Sequence, residues 1–161
     1  MLIHAFAMIA DRIPDNLVIY GEGELRGELE ALVAELHLKD RIFLPGSITD
    51  VANTIRSAKL FVLSSDYEGM PNSLMEAMAL GLPCLSTDCP CGGPRMILEK
   101  DAALCLSPVN DCKCFSDKML YLLLDSTLLA SVGCGLKSCA FEFNPQEVYK
   151  VWASYAASWI K

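Results

Sequence analysis

Short apolar runs alternate along this chain with longer amphipathic stretches, and that alternation is the first thing the sequence tells. Leu17-Val18-Ile19-Tyr20, Arg41-Ile42-Phe43-Leu44 and Leu60-Phe61-Val62-Leu63 read as buried strands, with Cys84-Leu85-Ser86 a fourth and Ala103-Leu104-Cys105-Leu106 the last. Turn residues such as Gly21 and Pro45-Gly46 close the early ones. Between the strands, helices are expected over about 25–36, 51–57 and 74–80, and after the last strand over 115–124 and 128–139. At the start, Ile3, Phe6, Ala7, Ala10 and Ile13 share one helical face. The opening segment lacks a basic region and runs into Asp11-Arg12, so it reads as a helix and not as a signal sequence. The final helix, about 145–161, has a clear beginning in Asn144-Pro145-Gln146-Glu147, with an N-cap type, proline at N1 and glutamate at N3. Val148, Val151, Trp152, Tyr155, Ala156 and Trp159 give it a broad apolar stripe.

Strands alternating with helices over short links predict an α/β fold: a Rossmann-like parallel sheet with helices on both faces. Ligands in such sheets sit beyond the carboxyl ends of the strands. Residues 64–73 lie at one of those ends.

Composition narrows the function classes. A chain of 161 residues is expected to form one domain, 1–161. Its 53% apolar content is above the usual range and hints at surface meant for another domain. A net charge of −7 argues against nucleic acid, which needs clustered Lys and Arg. No run approaches the length that spans a bilayer. Among eight cysteines, Cys89-Pro90-Cys91 and Cys112-Lys113-Cys114 lack the C-x2-C spacing of common zinc sites, so no metal is expected and the thiols read as apolar filler in a reducing cytoplasm.

The candidate chemistry lies in Glu68-Gly69-Met70-Pro71-Asn72-Ser73-Leu74-Met75-Glu76-Ala77-Met78-Ala79-Leu80-Gly81-Leu82-Pro83, a loop turning into a short helix. Unpaired N–H groups at a helix start attract phosphate, with a dipole contribution of about 0.3–1 kcal/mol at an exposed site. Carboxylates accept hydrogen bonds from sugar hydroxyls. Glu68 and Glu76 flank such a start, an arrangement that suits a nucleotide sugar. Ser73-x-x-Glu76 is equally a capping box, and Glu68 equally a solvated loop acid. Gly21-x-Gly23 is a poor dinucleotide signature, because Arg26 stands where the third glycine belongs. No Walker A sequence occurs, and neither His4 nor His37 lies in a nucleophile motif.

This block, Glu-Gly-x-Pro-Asn-x-x-x-Glu-Ala-Met-Ala-x-Gly-x-Pro, resembles the signature of the family 4 (group 1) retaining glycosyltransferases. The resemblance covers nearly the whole chain and implies the C-terminal half of their GT-B fold with its first strand missing. It implies that Glu68 is the catalytic-site acid holding donor-sugar hydroxyls and that Glu76 holds the ribose. The turn Gly69, Met70, Pro71, Asn72 and Ser73 would bind the sugar and diphosphate, although Pro71 has no N–H to give. Pro45, Gly46 and Ser47 match the family's nucleobase loop, and turn chemistry alone also accounts for them. Residues 87–98 match its glycine-rich loop, with Met96 where glutamate is usual, so no carboxylate role is assigned there. Arg95 is a phosphate partner or a solvated loop arginine.

The implied activity is transfer of a hexosyl or N-acetylhexosaminyl unit from a nucleotide-diphosphate sugar, a UDP-sugar, in glycan or cell-surface polysaccharide biosynthesis. The donor is the only small molecule required, with no cofactor and no metal. What the resemblance lacks is the acceptor-binding N-terminal domain and the first strand, with its Gly-Arg and Lys segment. The chain is therefore expected to be inactive alone, to need that domain or a separate chain, and to self-associate through open strand edges. The alternative is a non-catalytic nucleotide-sugar-binding fragment or subunit. Either would be cytoplasmic, peripheral at the membrane through a partner domain.

Overall fold

The computed structural model describes residues 1–159. In chain order the elements are α1 (Leu2–Ala7), β1 (Leu17–Tyr20), α2 (Arg26–Glu35), β2 (Ile42–Gly46), α3 (Val51–Ile55), β3 (Phe61–Leu63) and α4 (Asn72–Ala79). Then follow β4 (Cys84–Asp88), α5 (Gly93–Ile97), α6 (Ala102–Cys105), β5 (Leu106–Pro108), α7 (Cys112–Leu124), α8 (Ser126–Ala140) and α9 (Pro145–Trp159). Every strand pair is parallel. The α/β architecture with helices on both sides of parallel strands is the one the alternation predicts.

The strands form two sheets and not one. β1 pairs with β2, Leu17 beside Ile42 and Val18 beside Phe43, while β3, β4 and β5 form the second in that order. At its centre β4 is buried from Cys84 through Thr87, which is why its run is apolar and small. A single core joins both sheets. Ile9, Leu74, Met78, Leu85, Leu98, Phe115, Leu122 and Leu136 are its largest fully buried members. Burial of a side chain such as Phe115 contributes about 1.5–3 kcal/mol.

Several boundaries differ from the sequence reading. The apolar run 103–106 is not the last strand: its first three residues finish α6, and β5 begins at Leu106. Pro45 does not end β2 but lies inside it. Helix α7 starts before 115 because Asp111 Oδ1 accepts the Cys114 N–H at 2.8 Å, and Asp125 accepts from Thr127 and Leu128 to start α8. α9 starts as expected, with Asn144 Oδ1 accepting the Gln146 N–H at 2.9 Å. Its stripe is exposed at Val148, Val151, Trp152 and Tyr155, with Trp152 and Tyr155 edge to face. The side chains of Ala156 and Trp159, and the extension to 161, lie outside the described residues.

Arg41 fixes the long link from α1 to β1. Its guanidinium donates to the carbonyls of Ala10 (2.8 Å), Ile13 (2.8 Å) and Asp15 (2.6 Å) and to Asn16 Oδ1 (3.0 Å), and it stands 5.9 Å from the Phe6 ring centre. Only a planar fork can serve four acceptors at once. Arg41→Met should therefore cost about 3 kcal/mol in denaturant unfolding, since several acceptors lose their donor together. Arg41→Lys should recover less than half of that.

All eight cysteines are free thiols. Burial pushes the Cys84 thiol far above its ordinary range, and burial with the nearby Asp101 charge raises Cys105 to about 12. Unfolded thiols titrate near about 8.5. The fold thus holds both groups neutral, with full stabilisation below about pH 8.5 and progressive loss as pH rises toward 12. Unfolding midpoints measured from pH 7.5 to 10.5 should fall with rising pH, less so in Cys105→Ala, and Cys91 should alkylate long before Cys84.

Candidate functional site

Beyond the carboxyl end of β3 the chain turns back on itself through residues 64–71, and three contacts from β4 and α5 hold that turn. Thr87 and Cys89 point the same way from adjacent alternate positions, and both donate to the carbonyl of Ser65, Cys89 Sγ at 3.1 Å. The third contact is a close approach of backbones. A Cβ built on Gly93 would stand 1.4 Å from the Gly69 carbonyl oxygen, so only glycine lets α5 start there.

Glu68 lies half-buried on this turn. Ser65 Oγ donates to its Oε1 at 2.7 Å, which orients the carboxylate and leaves its other oxygen to accept from a ligand. Glu68 is thus half-buried and held by a neighbour three residues before it. Next to it Tyr67 is exposed, and its hydrogen bond with Cys91 holds the phenol pKa above its ordinary value.

α4 begins without a side-chain cap. Pro71 is its N-cap, so Asn72 and Ser73 are its first two helical residues, and the carbonyl of Pro71 already accepts from Leu74 and Met75. No capping box forms: among the described residues Glu76 makes no bond back to the helix start. The N–H groups of Asn72 and Ser73 stay without an acceptor there, and both residues are exposed. Gly69 and Met70 are exposed ahead of them, and Pro71 is buried as the pivot.

Glu76 is exposed on the face that Asn72, Met75 and Ala79 share. It borders a cavity of about 370 Å³ between α4 and the end of α8, with Met75, Ala79, Lys137, Ala140, Phe141, Phe143 and Asn144 as the other walls. Glu68 does not line that cavity. The two acids thus stand on either side of the α4 start, one on the turn before it and one along its outer face.

Pro45 and Gly46 finish β2, and Ser47 follows them. Gly46 has φ +92°, accepts the Gly21 N–H on its carbonyl at 3.0 Å, and stands so near Glu22 that a Cβ would meet the carboxylate at 2.4 Å. This loop belongs to the first sheet and the Glu68 turn to the second.

The arginines beside these loops are engaged by acids. Arg95 forms a two-pronged pair with Asp88, which raises its pKa; it is exposed, as the solvated arginine of the sequence reading would be, but its guanidinium is engaged by that acid. Arg26 is paired with Glu22 and Glu30 and donates to the Leu44 carbonyl at 2.7 Å. Sequence reasoning missed the Ser65–Glu68 bond, the Thr87 and Cys89 clamp and the Gly69–Gly93 approach. The small residues Gly92-Gly93 were the available signal for the last; the others join segments more than twenty residues apart or depend on a rotamer.

Comparison with known proteins places this geometry in a family. Residues 1–125 match the group described as "Glycosyl transferases group 1". The chain is 31% identical over 142 residues to an N-acetyl-alpha-D-glucosaminyl L-malate synthase of Bacillus anthracis, covering 88% of this chain and 36% of that protein. It is 32% identical over 118 residues to a UDP-Gal:alpha-D-GlcNAc-diphosphoundecaprenol alpha-1,3-galactosyltransferase of Escherichia coli, covering 72% and 30%. The pneumococcal O-GlcNAc transferase GtfA, solved with UDP and GlcNAc, superposes with a TM-score of 0.83 at 22% identity over 98% of this chain and 32% of that one, which shows a shared fold. The chain thus spans about a third of the length of each.

The close approach at Gly93 gives a direct check. Gly93→Ala should cost about 2 kcal/mol or more in thermal or denaturant unfolding, because backbone must move to admit the methyl group. Gly69→Ala, where a Cβ meets nothing within 4 Å, should stay within about 0.5–1 kcal/mol of the parent.

Proposed function

The chain belongs to the group 1 glycosyl transferases, and we propose that it is the donor-binding part of a retaining member that uses a UDP-sugar. In this reading it serves hexosyl or N-acetylhexosaminyl transfer in glycan or cell-surface polysaccharide biosynthesis. The observation that carries it is the α4 start, where two exposed N–H groups without acceptors follow a turn bearing an oriented, half-open carboxylate. Main-chain N–H groups favour the negative end of a sugar nucleotide, and carboxylates favour its alcohols.

The residues then take these roles. Glu68 accepts from donor-sugar hydroxyls, and the turn Gly69 to Ser73 receives the diphosphate. Glu76 accepts from ribose hydroxyls, and the loop of Pro45, Gly46 and Ser47 meets the base through its backbone. In the transfer, the bond from the anomeric carbon to the diphosphate breaks with its electron pair leaving on diphosphate oxygen. The acceptor hydroxyl oxygen forms the new bond to the anomeric carbon, and its proton passes to the departing diphosphate oxygen. Charge on the departing group is stabilised by the helix-start N–H groups, so the reading calls for no metal.

One observation favours a limit on this activity: Arg95 and Arg26, the arginines beside the site, are already paired with carboxylates. In this reading the isolated chain binds donor but transfers nothing, and a further domain or chain supplies the acceptor site and the remaining positive charge. We place the protein in the cytoplasm, where nucleotide sugars are met by their enzymes, at the membrane only through such a partner.

Titration of UDP into the purified chain should show weak binding that Glu76→Ala reduces at least tenfold, about 1.4 kcal/mol, with an unchanged melting temperature because Glu76 is exposed. Equal affinity in the variant would remove Glu76 from the site. Donor hydrolysis by the purified chain would refute its inactivity.

A further inference from the structure

We propose that Ser65 is a positioning residue: by fixing the Glu68 carboxylate, it shifts the preference of the turn toward a nucleoside-diphosphate sugar and away from the free nucleoside diphosphate that transfer leaves behind. This role rests on the donor reading above and adds to it how substrate is told from product.

Residue 65 is held before it holds anything else. A carbonyl oxygen has two lone pairs, and on Ser65 one receives the Thr87 hydroxyl and the other the Cys89 thiol at 3.1 Å. Both donors come from the end of β4 and are 0% and 2% exposed, so they belong to the packed core and not to the loop. Ser65 itself is half-buried. With its main chain anchored, only its side-chain torsions are left, and the bond to Glu68 Oε1 at 2.7 Å uses them. A hydroxyl donating to an ionised carboxylate makes one of the stronger hydrogen bonds. Among the described residues no cation is paired with Glu68, and Arg95 on α5 is taken by Asp88. The charge of Glu68 is therefore fixed in place and uncompensated.

Such a carboxylate acts on the two ligands with opposite sign. In a nucleotide sugar the outer phosphate is esterified, and the ring beyond it offers hydroxyls that donate to the second oxygen of Glu68. In the free diphosphate the same phosphate has a second ionisation near about pH 6, gains charge, and offers acceptors only. Like charges repel, and partial burial weakens the screening between them. An unheld glutamate would relieve this repulsion by rotating toward solvent. The Ser65 bond prevents that rotation, so the repulsive part of the discrimination survives together with the attractive part. The helix-start N–H groups of Asn72 and Ser73 meet the diphosphate of either ligand alike. Discrimination thus falls to Glu68, and through it to Ser65.

The test is calorimetric titration of the purified full chain with UDP, UDP-glucose and UDP-N-acetylglucosamine, in the parent and in Ser65→Ala, Ser65→Thr and Glu68→Gln. Substitutions at 65 keep its carbonyl, so the Thr87 and Cys89 contacts and the fold are retained. Ser65→Ala should lose about tenfold in affinity for the better-bound sugar nucleotide and gain about threefold for UDP. Ser65→Thr, which restores a hydroxyl, should return both toward the parent. Glu68→Gln removes the charge and should bind UDP about fivefold more tightly than the parent. Opposite signs for the two ligands are what a merely structural role would not produce. Weaker binding of both ligands in Ser65→Ala, unchanged binding of both, or weaker UDP binding in Glu68→Gln would each overturn the proposal while leaving the donor reading in place. A parent chain that binds none of the three ligands would overturn the donor reading itself, and the role of Ser65 with it.

Discussion

The site depends on a place where two backbones touch. The carbonyl of Gly69 occupies the space a side chain of residue 93 would need, so the turn after β3 and the start of α5 are set against each other with no freedom to slide. Thr87 and Cys89 add two donors to the Ser65 carbonyl, four residues earlier on the same turn. Positions 65 and 69 are thereby fixed, and Glu68 between them inherits its place. The exact orientation of its carboxylate then needs only the Ser65 hydroxyl. A polar group held by neighbours before any ligand arrives loses little freedom on binding, which is how a loop residue comes to act like one on a rigid element.

That arrangement also explains the division between acid and amide. Two carboxylates and a phosphate repel one another if they share one place, yet here the helix start stands between them. Glu68 lies before α4 and Glu76 lies along its outer face, while the N–H groups of Asn72 and Ser73 point out of its end. Pro71 contributes to this by failing to donate and by capping the helix with its carbonyl alone, which leaves the next two N–H groups uncommitted. A capping box would have consumed one of them and turned Glu76 inward. The structural detail that rules out the capping box is a shift of two residues in where the helix begins, with Pro71 and not Ser73 as the N-cap.

Much of this was legible in the residues and some was not. β1 was read to the residue because a four-residue apolar run between an Asn and a Gly admits little else. The run 103–106 was misread because four apolar residues are as compatible with a helix end as with a strand, and length could not arbitrate. Pro45 was read as a terminator, but β2 has a free outer edge, where a missing N–H costs nothing. The acids of the central stretch and the turn residues around them were visible from spacing. The Arg95–Asp88 pair and the Arg26 bond to the Leu44 carbonyl were not, since a pair across a loop and a hydrogen bond eighteen residues away leave no periodic trace, whereas Glu22 and Glu30 stand four residues from Arg26 at helical spacing.

The turn after β3 is held from one side of its strand. In open α/β sheets ligands bind beyond the carboxyl ends of the strands, and the turn carrying Glu68 lies at such an end. The turn carrying Glu68 leaves β3, a strand of three residues tied on one side only. Its hold on Ser65 and Gly69 comes wholly from the β4 side.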